Sequence, residues 1–430
     1  VIAADFALRN AGALHTLAGP VPRTGAAMSV LGTHERAALA AHHGRIVWIG
    51  GDGAFDLAVK LEPGATVVDA GGATVLPGFV DAHTHAVFAG DRDEEIRRRL
   101  AGVSYAEIAA EGGGIVRTVG ATREATLAEL EAGLLARFDE MLLCGTTTAE
   151  VKSGYGLDTA TELRQLEAIS RADARHPLGT VSTFLGAHEV PVEHRDDRER
   201  YLRLLVEEML PEVARRRLAT FADVFCEKGV FSVDESRRLL TAARDLGFKL
   251  RVHADELCWT GGAELAAELG ARSADHLVFV SEAGRRALAE SGCAATILPA
   301  ACFYLRLPRY APARDLIDDG VAVALGSDVN PGGGLSPSLP FAMTVACFVQ
   351  GLSLEEAISA ATINAAYSLD HADEVGSLEV GKRADLVVLR GPRLLDLLRV
   401  GVGAVRTVVK TGRVVVEDGR RVGAGAGAPA

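Results

Sequence analysis

The sequence predicts an α/β protein: a closed (β/α)8 TIM-like barrel carrying a small β-sandwich domain built from both chain ends. Three observations lead there. Short apolar runs alternate with helical stretches through the middle of the chain, and eight such runs can be counted. Several of them end in a His or Asp, where a barrel of this kind places its chemistry. Both ends are β-rich, and neither end holds enough apolar residues for a core of its own.

Taken in order, short strands bounded by glycine are expected at 44–50 and 65–69, while the stretch 28–43 suggests no element. An apolar run then leads to Val75-Leu-Pro-Gly-Phe-Val-Asp-Ala-His83-Thr-His85. Helical stretches follow to about Leu143. Strands are expected at 146–150, 180–185, 221–226, 249–253, 272–275, 294–298 and 322–325. Helices are expected at 159–174, 196–217, 233–246, 261–269, 282–290, 314–319 and 354–369. A doubly wound open sheet is the alternative, but it does not readily gather side chains from strands 245 residues apart around one point. Three further strands, at 384–389, 405–410 and 413–417, are separated by Gly-containing turns. The expected domains are 1–74 and 375–430 for the composite sandwich and its tail, and 75–374 for the barrel. The Gly/Ala-rich end from 423 to 430 is expected to be disordered.

Composition excludes several classes. The chain has 430 residues, 48% of them hydrophobic, and a formal charge of −12. An acidic chain without a long Lys/Arg block is a poor binder of nucleic acid or anionic membranes. The short runs Arg97-Arg98-Arg99 and Arg215-Arg216-Arg217 read as solvated helix faces. Six scattered cysteines without a CxxC pair suit free thiols in a reducing compartment. No leader-like stretch opens the sequence and no apolar run reaches the roughly 18 residues of a spanning helix, so a cytoplasmic location is expected. There is no P-loop, no dinucleotide-binding glycine fingerprint and no nucleophile elbow.

The chemistry starts at His83 and His85. Side chains at i and i+2 of a strand share a face, so both imidazoles can grip one cation. Singly, each later candidate reads more simply as a structural residue. Together, His253, His276 and Asp328, each closing a strand-like run, complete a metal site with His83 and His85. Imidazole and carboxylate suit zinc and iron alike, and an ion with an open position activates water near neutral pH. Arg92, in the loop after the first barrel strand, can hold an anion through two N–H groups. Glu150-Val-Lys-Ser-Gly-Tyr-Gly156 follows with Lys152, readable as a carbamylated metal bridge, and Tyr155, a ligand contact. Beyond the third strand stands His188, and Asn330 can pair with an amide-like edge.

These strings resemble the amidohydrolase superfamily and, within it, the imidazolonepropionases. Most specific are 150–156 and Ser327-Asp-Val-Asn-Pro-Gly332. Supporting strings are Leu100-Ala-Gly-Val-Ser-Tyr105 with Gly112-Gly-Gly-Ile115, Phe184-Leu-Gly-Ala-His188 and His253-Ala-Asp-Glu256. The resemblance implies hydrolysis of 4-imidazolone-5-propanoate to N-formimidoyl-L-glutamate by a homodimer. It implies one zinc or iron ion per chain on His83, His85, His253 and Asp328, and a mononuclear site in which Lys152 is no bridge. Arg92, Tyr155, His188, Asn330, Gly332 and Gly333 would surround the substrate. Glu256, which also faces substrate, and His276 would handle protons, with Asp328 helping to orient the water. Gly333 departs from the family, which often carries Ser or Thr there, so a hydroxyl contact is lost or moved. Two rival readings share part of this pattern: a heterocycle deaminase of the same superfamily, which needs no carboxylate anchor, and a metal-bound sensor without turnover.

Overall fold

Strand β1 (Ile2–His15) pairs with almost everything at the N-terminal end of the computed structural model, which describes residues 1–103, 107 and 113–423. Ser104, Tyr105 and Gly112, from the supporting strings, and the tail 424–430 lie outside the described residues. β1 runs antiparallel to β2 (Thr33–His42), which pairs with β3 (Arg45–Gly51). It runs parallel to β4 (Val59–Asp69) and, further along, to β5 (Thr74–Pro77). The sequence reading left 28–43 without an element, and the structure puts β2 there. The reason is compositional: Ala37, Ala38, Ala40 and Ala41 are poor strand formers, but all four are fully buried between neighbouring strands, and packing overrides propensity. His34 and His42 accordingly stand on a strand.

The barrel follows. Its eight parallel strands are β6 (Phe79–Asp81), β7 (Thr146–Lys152), β8 (Gly179–Ala187), β9 (Phe221–Cys226), β10 (Lys249–Ala254), β11 (Ser273–His276), β12 (Ala294–Ile297) and β13 (Val323–Leu325), hydrogen-bonded in sequence order. The ring is closed just beyond the first and last strands. Ala82 N donates to Leu325 O at 3.3 Å, Asp328 N to His83 O at 3.0 Å and His85 N to Val329 O at 3.0 Å. Helices including Thr159–Arg175, Val233–Asp245 and Glu282–Ser291 pack their apolar faces on the outside, each started by a side-chain cap from Asp158, Ser232 or Ser281.

The chain then returns to the first sheet. β14 (Leu386–Leu389) pairs with β5 and with β15 (Val405–Lys410), and β16 (Arg413–Glu417) and β17 (Arg420–Arg421) extend the edge. One nine-stranded sheet thus joins both chain ends. It curls on itself: Ile46 N of β3 donates to Lys382 O at 2.9 Å, and Ala384 N donates to Gly44 O at 2.9 Å. Phe6, Leu8, Leu39, Ile46, Leu386 and Val409 meet in the core it encloses.

The interior of the barrel is unusual in being charged. Alternation in the strands turns Glu150 and Lys152, Asp223, Arg251 and His253, and Ser273 and Asp275 toward one another, all nearly or fully buried. Apolar side chains usually fill this space. Buried charges persist only when paired, and here each has a partner.

Candidate metal centre and substrate cavity

The three histidines converge at the C-terminal mouth of the barrel. His83 and His85 lie two and four residues past β6, and His253 is within β10. The Nε2 atoms of His83 and His85 are 3.2 Å apart, and those of His85 and His253 are also 3.2 Å apart. Asp328 Oδ1 stands 3.6 Å from both the His83 and the His85 Nε2. Donors around a tetrahedral ion with bonds of about 2.0–2.1 Å are separated by roughly 3.3 Å, so these spacings fit the edges of a coordination shell. Asp328 Oδ1 is buried and has no hydrogen-bond partner among the described residues. His276, the last residue of β11, joins His83 and His253 in an overlapping group whose ligand atoms lie within 4.8 Å.

The protonation states suit a cation. Burial holds His83, His85 and His276 well below the ordinary imidazole range, with the Lys152 charge adding to the effect at His83. Neutral rings with free lone pairs are what a metal requires. Behind two of them sit carboxylates: Asp275 Oδ2 is 2.7 Å from His83 Nδ1, and Asp223 Oδ2 is 2.9 Å from His253 Nδ1. Asp275 hydrogen-bonds the His83 ring and Asp223 stands at ion-pair distance behind that of His253, so that each Nε2 faces the centre. The sequence reading missed this role of Asp223 and Asp275. The available signal was a charged residue inside an otherwise apolar buried strand, which demands a partner.

Backbone strain marks the same place. His276 has φ +74°, Leu277 +59° and Asp328 +51°, left-handed values that such residues adopt at a cost. The surrounding ladder holds them there, and the strain points the His276 and Asp328 side chains into the mouth of the barrel.

A cavity of about 170 Å³ opens above the cluster. His85, His253, His276 and Asp328 form its floor, and Arg92, Tyr155, His188, Glu256, Asn330, Gly332 and Gly333 its walls, with Ile115, Phe225, Leu257, Leu305 and Leu307 as apolar lining, none of them expected at the cavity from the sequence. The His188 ring stacks on His85 with centroids 4.9 Å apart and donates from Nδ1 to Gly154 O at 2.9 Å, which places the N–H on that nitrogen. Burial lowers His188 to about 3, so it is a neutral ring. Burial, then the nearby Asp328 carboxylate, pushes Glu256 up to about 8, and its Oε1 stands 3.6 Å from His276 Nδ1.

Arg92 is buried, with Nε on Thr118 Oγ1 at 2.8 Å, and its Nη2 has no hydrogen-bond partner among the described residues. Arg99 also is buried: it bonds the Gly332 carbonyl, which corrects the expectation that the 97–99 run is wholly solvated. Asn330 uses its side chain inside its own turn, accepting from Gly332 N at 2.9 Å and Gly333 N at 2.6 Å and donating to Asp328 O at 2.7 Å. A Cβ on Gly333 would meet Leu305 atoms at 3.2 Å, so a hydroxyl residue there needs Leu305 to give way slightly. Lys152 does not line the cavity; it is buried beneath the centre.

Residues 74–415 match the family model described as the amidohydrolase family. A curated protein of Symbiobacterium thermophilum named imidazolonepropionase is 53% identical over 418 residues, 97% of this chain and 98% of that protein. The like-named proteins of Geobacillus kaustophilus (47%, 96% of this chain and 98% of that protein) and Alkaliphilus oremlandii (45%, 93% and 94%) are also similar. Among solved structures, an adenosine deaminase from Xanthomonas campestris with bound zinc superimposes with TM-score 0.74 at 19% identity, covering 98% of this chain and 95% of that one. The atrazine chlorohydrolase of Arthrobacter aurescens TC1 complexed with zinc gives 0.73 at 19%, covering 97% and 96%. At such identities the likeness is one of fold.

Proposed function

The chain belongs to the amidohydrolase family, and from that premise we propose that it hydrolyses the cyclic amide of 4-imidazolone-5-propanoate to N-formimidoyl-L-glutamate, a step of histidine degradation. The observation that carries this is the pairing, across one cavity, of a three-histidine-and-aspartate cluster with a buried arginine whose Nη2 is uncommitted among the described residues. The first is a hydrolytic centre, and the second is an anchor for a carboxylate. A deaminase of neutral bases has no use for that anchor. A sensor has no use for a buried carboxylate beside the cluster.

One zinc or iron ion held by His83, His85, His253 and Asp328 supplies Lewis acidity and lowers the pKa of water. Arg92 binds the propionate carboxylate and fixes the ring above the cluster. This local positive charge offsets the repulsion between an anionic substrate and a chain of net charge −12. Tyr155 and His188 hold the ring from the β7 and β8 side. Asp328 and His276 orient the attacking water. Glu256 removes its proton and delivers it to the ring nitrogen as the C–N bond breaks and the new carboxylate forms.

The test uses metal-quantified protein and substrate made freshly by urocanase. Rapid formation of formiminoglutamate with about one metal per chain supports the reading. A fully metallated protein that forms no product overturns it. We also propose that the protein is a homodimer located in the cytoplasm. Among the described residues no helix is long and apolar enough to cross a membrane, and sedimentation velocity reads the dimer directly.

A further inference from the structure

We propose that Lys152 is a positioning residue of the metal centre, its ammonium reaching His83 and His253 through one carboxylate each and His85 through a carboxylate and the Thr84 backbone. This rests on the reading that His83, His85, His253 and Asp328 hold a metal. Lys152 Nζ lies 2.7 Å from Glu150 Oε1, 2.9 Å from Asp223 Oδ2 and 3.7 Å from Asp275 Oδ2, with every one of these side chains fully buried. Each carboxylate leads to a different histidine. Asp223 backs His253 and Asp275 backs His83. Glu150 reaches His85 through the backbone: its Oε2 accepts from Thr84 N at 3.1 Å, and its own carbonyl accepts from Thr84 Oγ1 at 2.7 Å. Thr84 is the residue between the two histidines, and its carbonyl accepts in turn from Lys152 N at 3.0 Å.

The three arms are not equivalent. Asp275 also pairs with Arg251, whose Nη2 stands 2.9 Å from Asp275 Oδ2 and is itself anchored on Ala82 O at 2.9 Å. Asp223 receives Val224 N and His253 N on Oδ1, so Lys152 supplies its cationic contact on Oδ2. Loss of the ammonium therefore leaves Asp275 held and Asp223 loosened, and the His253 ring loses its fixed backing. Removing the partner behind a metal-ligating histidine costs about 10–100-fold in metal affinity. A competing account is that Lys152 only neutralises Glu150, in which case removing both charges restores the centre.

The experiment is a cobalt(II) titration of metal-free protein, read as a dissociation constant by chelator competition and as the visible absorption band of the bound ion. The parent protein should bind about one cobalt per chain. Lys152→Met should bind at least roughly tenfold more weakly, with a changed band shape, and Glu150→Gln/Lys152→Met should stay weak. A parent protein that binds no cobalt defeats the metal reading itself. A parent that binds, with Lys152→Met equal in affinity and spectrum, overturns the role of Lys152 alone, as does recovery of parental affinity in the double variant. Should Lys152→Met fail to fold, Lys152→Gln takes its place with the same expected weakening. Failure of both to fold, even with cobalt, overturns the proposal in favour of a folding role.

Discussion

Gly332 and Arg92 are fitted to each other. A Cβ placed on Gly332 would lie 2.2 Å from Arg92 Nη1 and 2.9 Å from its Cζ, so the guanidinium occupies the space that any side chain at 332 would need. Asn330 and Arg99 hold the Gly332 turn in place through the amide and the carbonyl of that residue. The turn after the last barrel strand thereby determines where Arg92, the proposed carboxylate anchor, stands. Gly332→Ala should displace Arg92 and weaken its charged hydrogen bonds by about 1.5–3 kcal/mol, a rise in KM of roughly ten- to hundredfold. Metal content should not change. Steady-state kinetics with metal analysis checks both halves, and an unchanged KM would remove Arg92 from substrate binding.

Metal removal should act on stability as well as turnover. A ligand that binds only the folded state stabilises it by about 4 kcal/mol at a thousand times its dissociation constant. Dialysis against a chelator should abolish product formation and lower the apparent Tm, and readdition of zinc or iron should restore both. Differential scanning calorimetry with and without chelator measures the shift. A chelated protein that melts at the original temperature would place no ion in the cluster.

The barrel was legible because most of its strands are short apolar runs, and the candidate site because such runs lead to His83, His253, His276 or Asp328. The same residues that break the apolar pattern are those at the mouth. β2 was illegible for the opposite reason, since its alanines carry no strand signal and only the neighbouring sheet makes them one. Glu150, Lys152, Asp223 and Arg251 could be seen in the sequence but not paired. Glu150 neighbours Lys152 on one strand, but the other partners of Lys152, Asp223 and Asp275, stand 71 and 123 positions away and Arg251 meets Asp275 24 positions on, and only the barrel brings these within 4 Å. Asn330 was visible as a polar residue at the site, whereas its use inside its own turn depends on backbone conformation.

The pH dependence follows from Glu256. Burial and the Asp328 charge raise it to about 8, whereas a divalent ion beside it favours the carboxylate and pulls the value back down. A base must be ionised to accept the water proton, so kcat/KM should fall as pH drops through the Glu256 value, which a bound ion sets lower than in the ion-free protein. Glu256→Gln should lose roughly 10²–10⁴-fold in kcat, abolish this acidic limb and keep its metal. A pH–rate profile of parent and variant decides the matter; an unchanged limb in Glu256→Gln would assign it to another group.

Glu162 should control substrate binding without touching the cavity. From the helix after β7 its carboxylate accepts three backbone N–H groups, from Gly156 at 2.8 Å, Leu157 at 2.9 Å and Gly154 at 3.1 Å. Those bonds hold a turn that needs holding, because Gly154 has φ +112° and Leu157 +55°. The turn carries Tyr155, and the Gly154 carbonyl fixes the ring of His188. A Cβ at 154 would meet Leu185 O at 2.9 Å, so the turn is pressed against β8 and has little room to relax. Glu162→Ala leaves three buried N–H groups without their acceptor, at a cost of about 1–3 kcal/mol for each that water does not reach. Tyr155 and His188 should then lose their places together, raising KM, while the cluster held by Asp275 and Asp223 keeps its metal affinity. Thermal melts, KM and cobalt affinity of the variant separate these effects: a lower Tm and higher KM at parental metal affinity is the expected result, and a parental KM would show that the turn does not position the substrate contacts.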